Sequence, residues 1–252
     1  FSEIGQLAGV AKTDWSWGAL FADLNLDGYK DITITNGYRR DMKDRDISTT
    51  LNKVAKEKGQ KLSINEAHQF MPEEKVRNYL FKNNKDLTFT NSSENWGFLE
   101  KINSNGLAYG DLDNDGDLDL VINNIDEIAS VYINTNNEEK NYLAFKLKGD
   151  QKNPFAVGAR VKVVTTNGEQ IQELFPTRGY QSSVDYKLIF GLDTLSQVQR
   201  VEVRWPNQKV SIIENVPTNQ TLELSVTSAK PGKLTQKEYS PLFAFAADKV
   251  QL

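Results

Sequence analysis

Short runs of alternating apolar and polar residues, broken by Gly, Asn and Asp, dominate this chain and predict an all-β fold. Residues 17–23 read as a strand, followed by an acidic loop and a second strand over residues 31–35. Residues 79–82 and 87–90, with Asn83 to Asp86 between them, form a hairpin signal. The order then restarts: a strand at 106–111, a second acidic loop, a strand at 118–122 and another at 130–133. Strand, acidic loop, strand, outer strand, stated twice, is the internal repetition that builds propellers and solenoids. The two loops lie farther apart than the roughly 40–50 residues of common blades. The surplus falls at about residues 39–78, in a stretch rich in Lys, Glu, Gln and Ala, with Leu51, Val54 and Ala55 at helical spacing. Helices over 46–58 and 65–78 are expected there, inserted between the second and third strands of one blade.

Near Asn134 to Lys140 the composition turns polar, which marks a boundary. The division expected is blades over 1–138, a second β domain over 139–228, and a linker over 229–252. Strands are predicted in the second part at 142–147, 159–165, 170–175, 186–190, 198–205, 210–213 and 221–226. Thr166, Asn167 and Gly168 supply a tight hairpin turn, because Asn and Gly tolerate positive φ. No helical period interrupts this part, so an antiparallel sandwich or small barrel is expected.

The two acidic loops align residue for residue. Loop one places Asp23, Asn25, Asp27 and Asp31 at positions 1, 3, 5 and 9; loop two places Asp111, Asp113, Asp115 and Asp119 there. Gly28 and Gly116 stand at position 6, where a sharp turn wraps the chain about an ion. Ca²⁺ takes six to eight hard oxygen ligands, which alternate residues of such a loop can supply. At position 7, Tyr29 and Asp117 are expected to contribute their backbone carbonyls. An EF-hand would need a Glu at position 12, and Ile34 and Ile122 stand there, each in a β-type segment. Two Ca²⁺ ions are therefore expected, the tighter in the more acidic loop two.

Composition narrows the function by exclusion. Net charge is −4, without the basic surface that nucleic acid requires. Cysteine is absent and His68 is the single histidine, which argues against Zn²⁺ and against nucleophile–base catalysis. No apolar run reaches the roughly 20 residues of a membrane span. The chain opens at Phe1 rather than at Met, as an excised piece of a longer protein would. Arg178 and Tyr180, in the segment PTRGYQSS, are the best candidates for ligand contact, against the alternative of a loop that ties the domain together.

The loops, preceded by WGALFADLNLDG and NGLAYGDLDNDG, resemble the calcium-binding FG-GAP or VCBS repeats of integrin-type β-propellers. The second part resembles the ASPIC/UnbV domain of the cartilage-acidic-protein-like family, through VGARV (157–161), RGYQS (178–182), FGL (190–192) and RWP (204–206). The resemblance implies about two blades, with the rest of a propeller supplied by further sequence, since rings typically close with four to eight. It implies a secreted or cell-surface, non-enzymatic adhesion scaffold that binds a protein or glycan. Two alternatives are an accessory region of a larger surface enzyme and a hydrolase or lyase using calcium-bound water. The second domain has no acidic loop and is expected to melt independently of calcium.

Overall fold

The computed structural model describes residues 3–40, 45–135 and 140–232. After a short helix α1 (Gly5–Ala8), strands β1 (Ser16–Ala22) and β2 (Asp31–Asn36) form an antiparallel hairpin around loop one. Helices α2 (Arg45–Lys58) and α3 (Ile64–His68) occupy the connection to β3 (Tyr79–Asn83), and β4 (Phe89–Asn91) completes a sheet ordered β1-β2-β3-β4. The helices thus stand where the helical insertion was expected. In α2, Ile47, Leu51, Val54 and Ala55 make the one stripe that is not fully exposed, as helical spacing requires. Helix α3 opens with a reciprocal Ser63–Glu66 capping box. It stops at His68 instead of continuing to residue 78. Pro72 is the reason: its ring clashes with a helical carbonyl four residues back, which here belongs to His68.

The second blade repeats the first with β5 (Ser104–Gly110), β6 (Asp119–Asn124) and β7 (Ser130–Tyr132) around loop two. The repetition reaches details. A register shift falls between Ser16 and Ala19 in β1 and between Ser104 and Leu107 in β5. Ser16 Oγ donates to Asn36 Oδ1 at 2.7 Å, and Ser104 Oγ to Asn124 Oδ1 at 2.8 Å. The blades lie side by side, with Thr35 Oγ1 donating to the Asn105 carbonyl.

Beyond residue 140 two sheets face each other. Strands β8 (Tyr142–Lys148), β9 (Arg160–Thr165), β10 (Gly168–Glu173), β11 (Leu188–Gly191), β12 (Gln197–Arg204), β13 (Lys209–Pro217), β14 (Gln220–Ser225) and β15 (Lys230–Pro231) follow in sequence. They assemble as β10-β9-β12-β13-β15 and β11-β8-β14. Phe145, Phe190, Val161, Val201 and Trp205 fill the space between, so this part is a sandwich and not a closed barrel. It is not wholly antiparallel, because β14 pairs with β8 in parallel. Asn219, at φ 57°, turns the chain out of β13 and is bonded to both backbone groups of Tyr142 at the start of β8. The two strands therefore start together and run the same way.

The blades and the sandwich are not independent bodies. Leu20, Leu26, Leu107, Leu118 and Ile122 of the blades share one buried cluster with Ala144, Val184 and Ile189 of the sandwich. Independent melting of the second part was expected because it has no acidic loop. The shared core gives a physical reason for the two parts to unfold together instead. The expected linker begins, at Lys230–Pro231, as an edge strand on β13; from residue 233 it lies outside the described residues.

Candidate metal centres at the blade–sandwich interface

Each acidic loop connects the first two strands of its blade, and both bend by the same device. Position 4 is left-handed in each, Leu26 at φ 54° and Asn114 at φ 65°. Gly28 and Gly116 follow at φ 87° and 102°, a region a side chain would strain. Asn adopts that region readily; Leu26 is held in it by burial in the shared core. The aspartate at position 9 closes the loop in both. Asp31 accepts the N–H groups of Leu24 and Asn83 through separate oxygens. Asp119 accepts those of Leu112 and Asn134 in the same way. Asn83 and Asn134 return a side-chain N–H to the carbonyls of Lys30 and Leu118, both at position 8.

The remaining carboxylates differ between the loops. In loop one, Asp23 accepts the N–H groups of Asp27 at 3.0 Å and Gly28 at 2.9 Å. Asp27 accepts the N–H of Tyr29, a weak contact from Asn25 Nδ2, and the ammonium of Lys85 at 3.3 Å. Lys85 also stands over the exposed Tyr29 ring. In loop two, Asp111, Asp113 and Asp115 each bring an oxygen within 4.8 Å of the others. Asp111 pairs one oxygen with the ammonium of Lys187, from the sandwich, and both side chains are buried. Its other oxygen is buried without a partner. Asp117 is 1% exposed, and neither of its carboxylate oxygens has a partner.

These environments raise the affinity of several carboxylates for protons. Burial, then repulsion from Asp27, pushes Asp23 up to about 8 despite its amide donors. Burial followed by the charges of Asp115 and Asp119 pushes Asp117 up to about 7. Asp31 is raised to about 6 and Asp115 is raised as well, in both cases chiefly by burial. A divalent cation does electrostatically what these protons do, and the all-oxygen donor set suits a hard ion. The residues of loop two therefore fit a bound cation, and its orphaned buried oxygens are the observation that says so.

The ten sequence-derived metal candidates thus sit in two matching loops, but not in matching environments. Asp117 entered for its carbonyl, and the structure adds a buried carboxylate. Lys187, Lys85, Asn83 and Asn134 were missed. Aligning the blades would have found the two asparagines, one ending the third strand of its blade and the other two residues past it; Lys187, 76 positions from its partner, left no local signal. Arg178 donates to the carbonyls of Phe175 and Glu173, and Tyr180 packs its ring on Trp17 at 4.9 Å. Both have partners within the fold. His68 ends α3. A cleft of about 500 Å³ opens between the blades, lined by Trp96, Phe98, Tyr132 and, from loop one, Asn25.

Two family models match. One, an FG-GAP-like repeat, covers residues 70–122, which includes loop two and stops short of loop one. The other, ASPIC and UnbV, covers residues 149–231. No curated protein matches the chain. FG-GAP-like repeats are typically extracellular, and both kinds of domain are typically non-catalytic. Among the described residues no helix is long and apolar enough to cross a membrane. The chain carries an FG-GAP-like repeat followed by an ASPIC and UnbV domain.

Proposed function

We propose that this chain is a calcium-stabilised binding scaffold of a secreted or cell-surface protein, with Ca²⁺ bound in both acidic loops. One observation carries the reading: Asp117 and one oxygen of Asp111 are buried without partners beside Asp113 and Asp115. Leaving such charges uncompensated costs several kcal/mol, and a cation offsets that cost. Calcium would draw on Asp111, Asp113, Asp115 and Asp117 in loop two, and on Asp23, Asn25 and Asp27 in loop one, with Asp31 and Asp119 bracing the loops. Its role is to hold the blades and the sandwich together, not to act in chemistry. Closing a propeller ring takes blades beyond the ones described here.

The partner is a protein or glycan, and the cleft between the blades is where aromatic faces and an amide are offered to it. Metal analysis after dialysis against calcium buffer should approach about two ions per chain. A chain that stays empty at millimolar calcium overturns the reading. Glycan-array binding that needs calcium and fails in Trp96→Ala would locate the ligand; binding unchanged in that variant would move it elsewhere.

A further inference from the structure

Asp111 belongs to two constellations at once. It stands with Asp113 and Asp115 in loop two, and it is the partner of Lys187, which leads into β11 of the sandwich. The Lys187–Asp111 pair is buried on both sides: 7% of the lysine side chain is exposed and none of the aspartate's. Loop one has no such arrangement, since its lysine, Lys85, comes from its own blade and is 43% exposed. Loop two therefore has a protein ammonium in direct contact with one of its candidate ligands, delivered by the other domain.

We propose that Lys187 is a resident cation of loop two, and that Ca²⁺ competes with it for Asp111. An ammonium and a divalent ion within a few ångströms of each other repel strongly at low dielectric. Calcium entry therefore displaces Lys187 Nζ from Asp111. The ammonium cannot stay buried without a partner, so it swings towards solvent, where the exposed Asp185 borders the same gap between blade and sandwich. Asp117, buried and with no hydrogen-bond partner for either carboxylate oxygen, has no existing contact to give up when the ion enters. The exchange links calcium occupancy to the blade–sandwich contact: the empty state is pinned by an ion pair across the interface and the loaded state by the metal. Lys187 thereby sets the affinity of loop two.

The inference rests on calcium binding in loop two, and its test separates the two claims. Lysine acylation of the wild-type protein would be followed by mass spectrometry, in calcium and in chelator, alongside metal uptake. Binding that merely stiffens the protein slows labelling everywhere. Displacement instead speeds labelling of Lys187 severalfold in calcium while the other sandwich lysines slow or hold. Uptake of calcium with Lys187 equally or less reactive overturns the exchange and leaves the metal site standing; no uptake at all removes both. Lys187→Met, which deletes the competing charge and keeps the aliphatic stem, should tighten calcium binding on the order of tenfold. Lys187→Arg, which keeps the charge, should stay near the wild-type affinity. An equal or weaker affinity in a Lys187→Met protein that is folded in chelator contradicts the proposal.

Discussion

In loop one, Asp23 accepts two N–H groups from its own turn; in loop two the equivalent Asp111 turns one oxygen to Lys187 and leaves the other unpaired. At position 7 loop one has an exposed tyrosine, and loop two has a buried carboxylate with no partner at all. The backbones are alike, down to the left-handed residue and the glycine two places later. Repeating a backbone therefore does not repeat its electrostatics. Loop one is largely satisfied by amides and an exposed lysine, whereas loop two keeps one oxygen of Asp111 and both of Asp117 buried without a partner. On the proposed function, a cation is an addition to the first loop and a requirement of the second.

The largest effect should come from removing calcium altogether. An ion that binds only the folded state adds RT ln(1 + [L]/Kd), about 2.7 kcal/mol at a hundredfold excess. For a chain of this size that corresponds to about 5–10 °C in Tm. Because both loops contact the shared core, calorimetry should record one transition that moves as a whole on adding chelator. A sandwich transition that stays in place while the blades move would restore the picture of separate domains.

Asp117→Ala should act with opposite sign in the two conditions. In chelator it removes an uncompensated buried charge and raises Tm by a few degrees; in calcium it removes a ligand and lowers Tm. The matching change in loop one, Tyr29→Ala, should move neither by more than about 0.5 kcal/mol, as exposed substitutions do. Equal responses at the two positions would erase the contrast between the loops.

How far these contrasts could be read from sequence depends on the distance over which each is determined. The strands, the two loops and the place of the insertion follow from local alternation and turn residues, and they stand where the pattern put them. The extent of α3 was misjudged because helical composition continued past Pro72, whose ring vetoes it locally. The parallel pairing of β8 and β14 hinges on Asn219 meeting Tyr142, a contact no strand pattern encodes. Asp117 reads like any other loop aspartate, and its burial is imposed by the sandwich closing over the turn. A Cβ on Gly116 would collide with the ring of Tyr142, which shows how tightly that closure fits.

Calorimetric titration sharpens the comparison further. Asp115→Ala should abolish the tighter calcium site and Asp27→Ala the weaker, because loop two offers more carboxylates. If Asp115→Ala leaves the tighter site in place, the order of the loops is reversed.

The smallest effect is the dependence on pH. Asp23, Asp117 and Asp31 hold protons up to about 8, 7 and 6, while their unfolded values lie near about 3.9. Without metal, the folded state binds more protons than the unfolded one. Its stability from these groups is complete below about pH 4 and is lost as pH rises towards about 8. Calcium needs the ionised forms, so its affinity should weaken as pH falls below about 7. The gap in Tm between calcium and chelator should therefore widen from about pH 5 to about pH 8, and a constant gap would mean that these carboxylates do not hold the ion.

The central claim is that loop two is where the cation is required, and amide NMR during a calcium titration reads it residue by residue. At substoichiometric calcium the signals of Asp115, Gly116, Asp117 and Asp119 should shift first, followed by those of Asp27, Gly28 and Asp31 as calcium rises. If loop one responds first, or loop two stays unchanged at millimolar calcium, the account is contradicted.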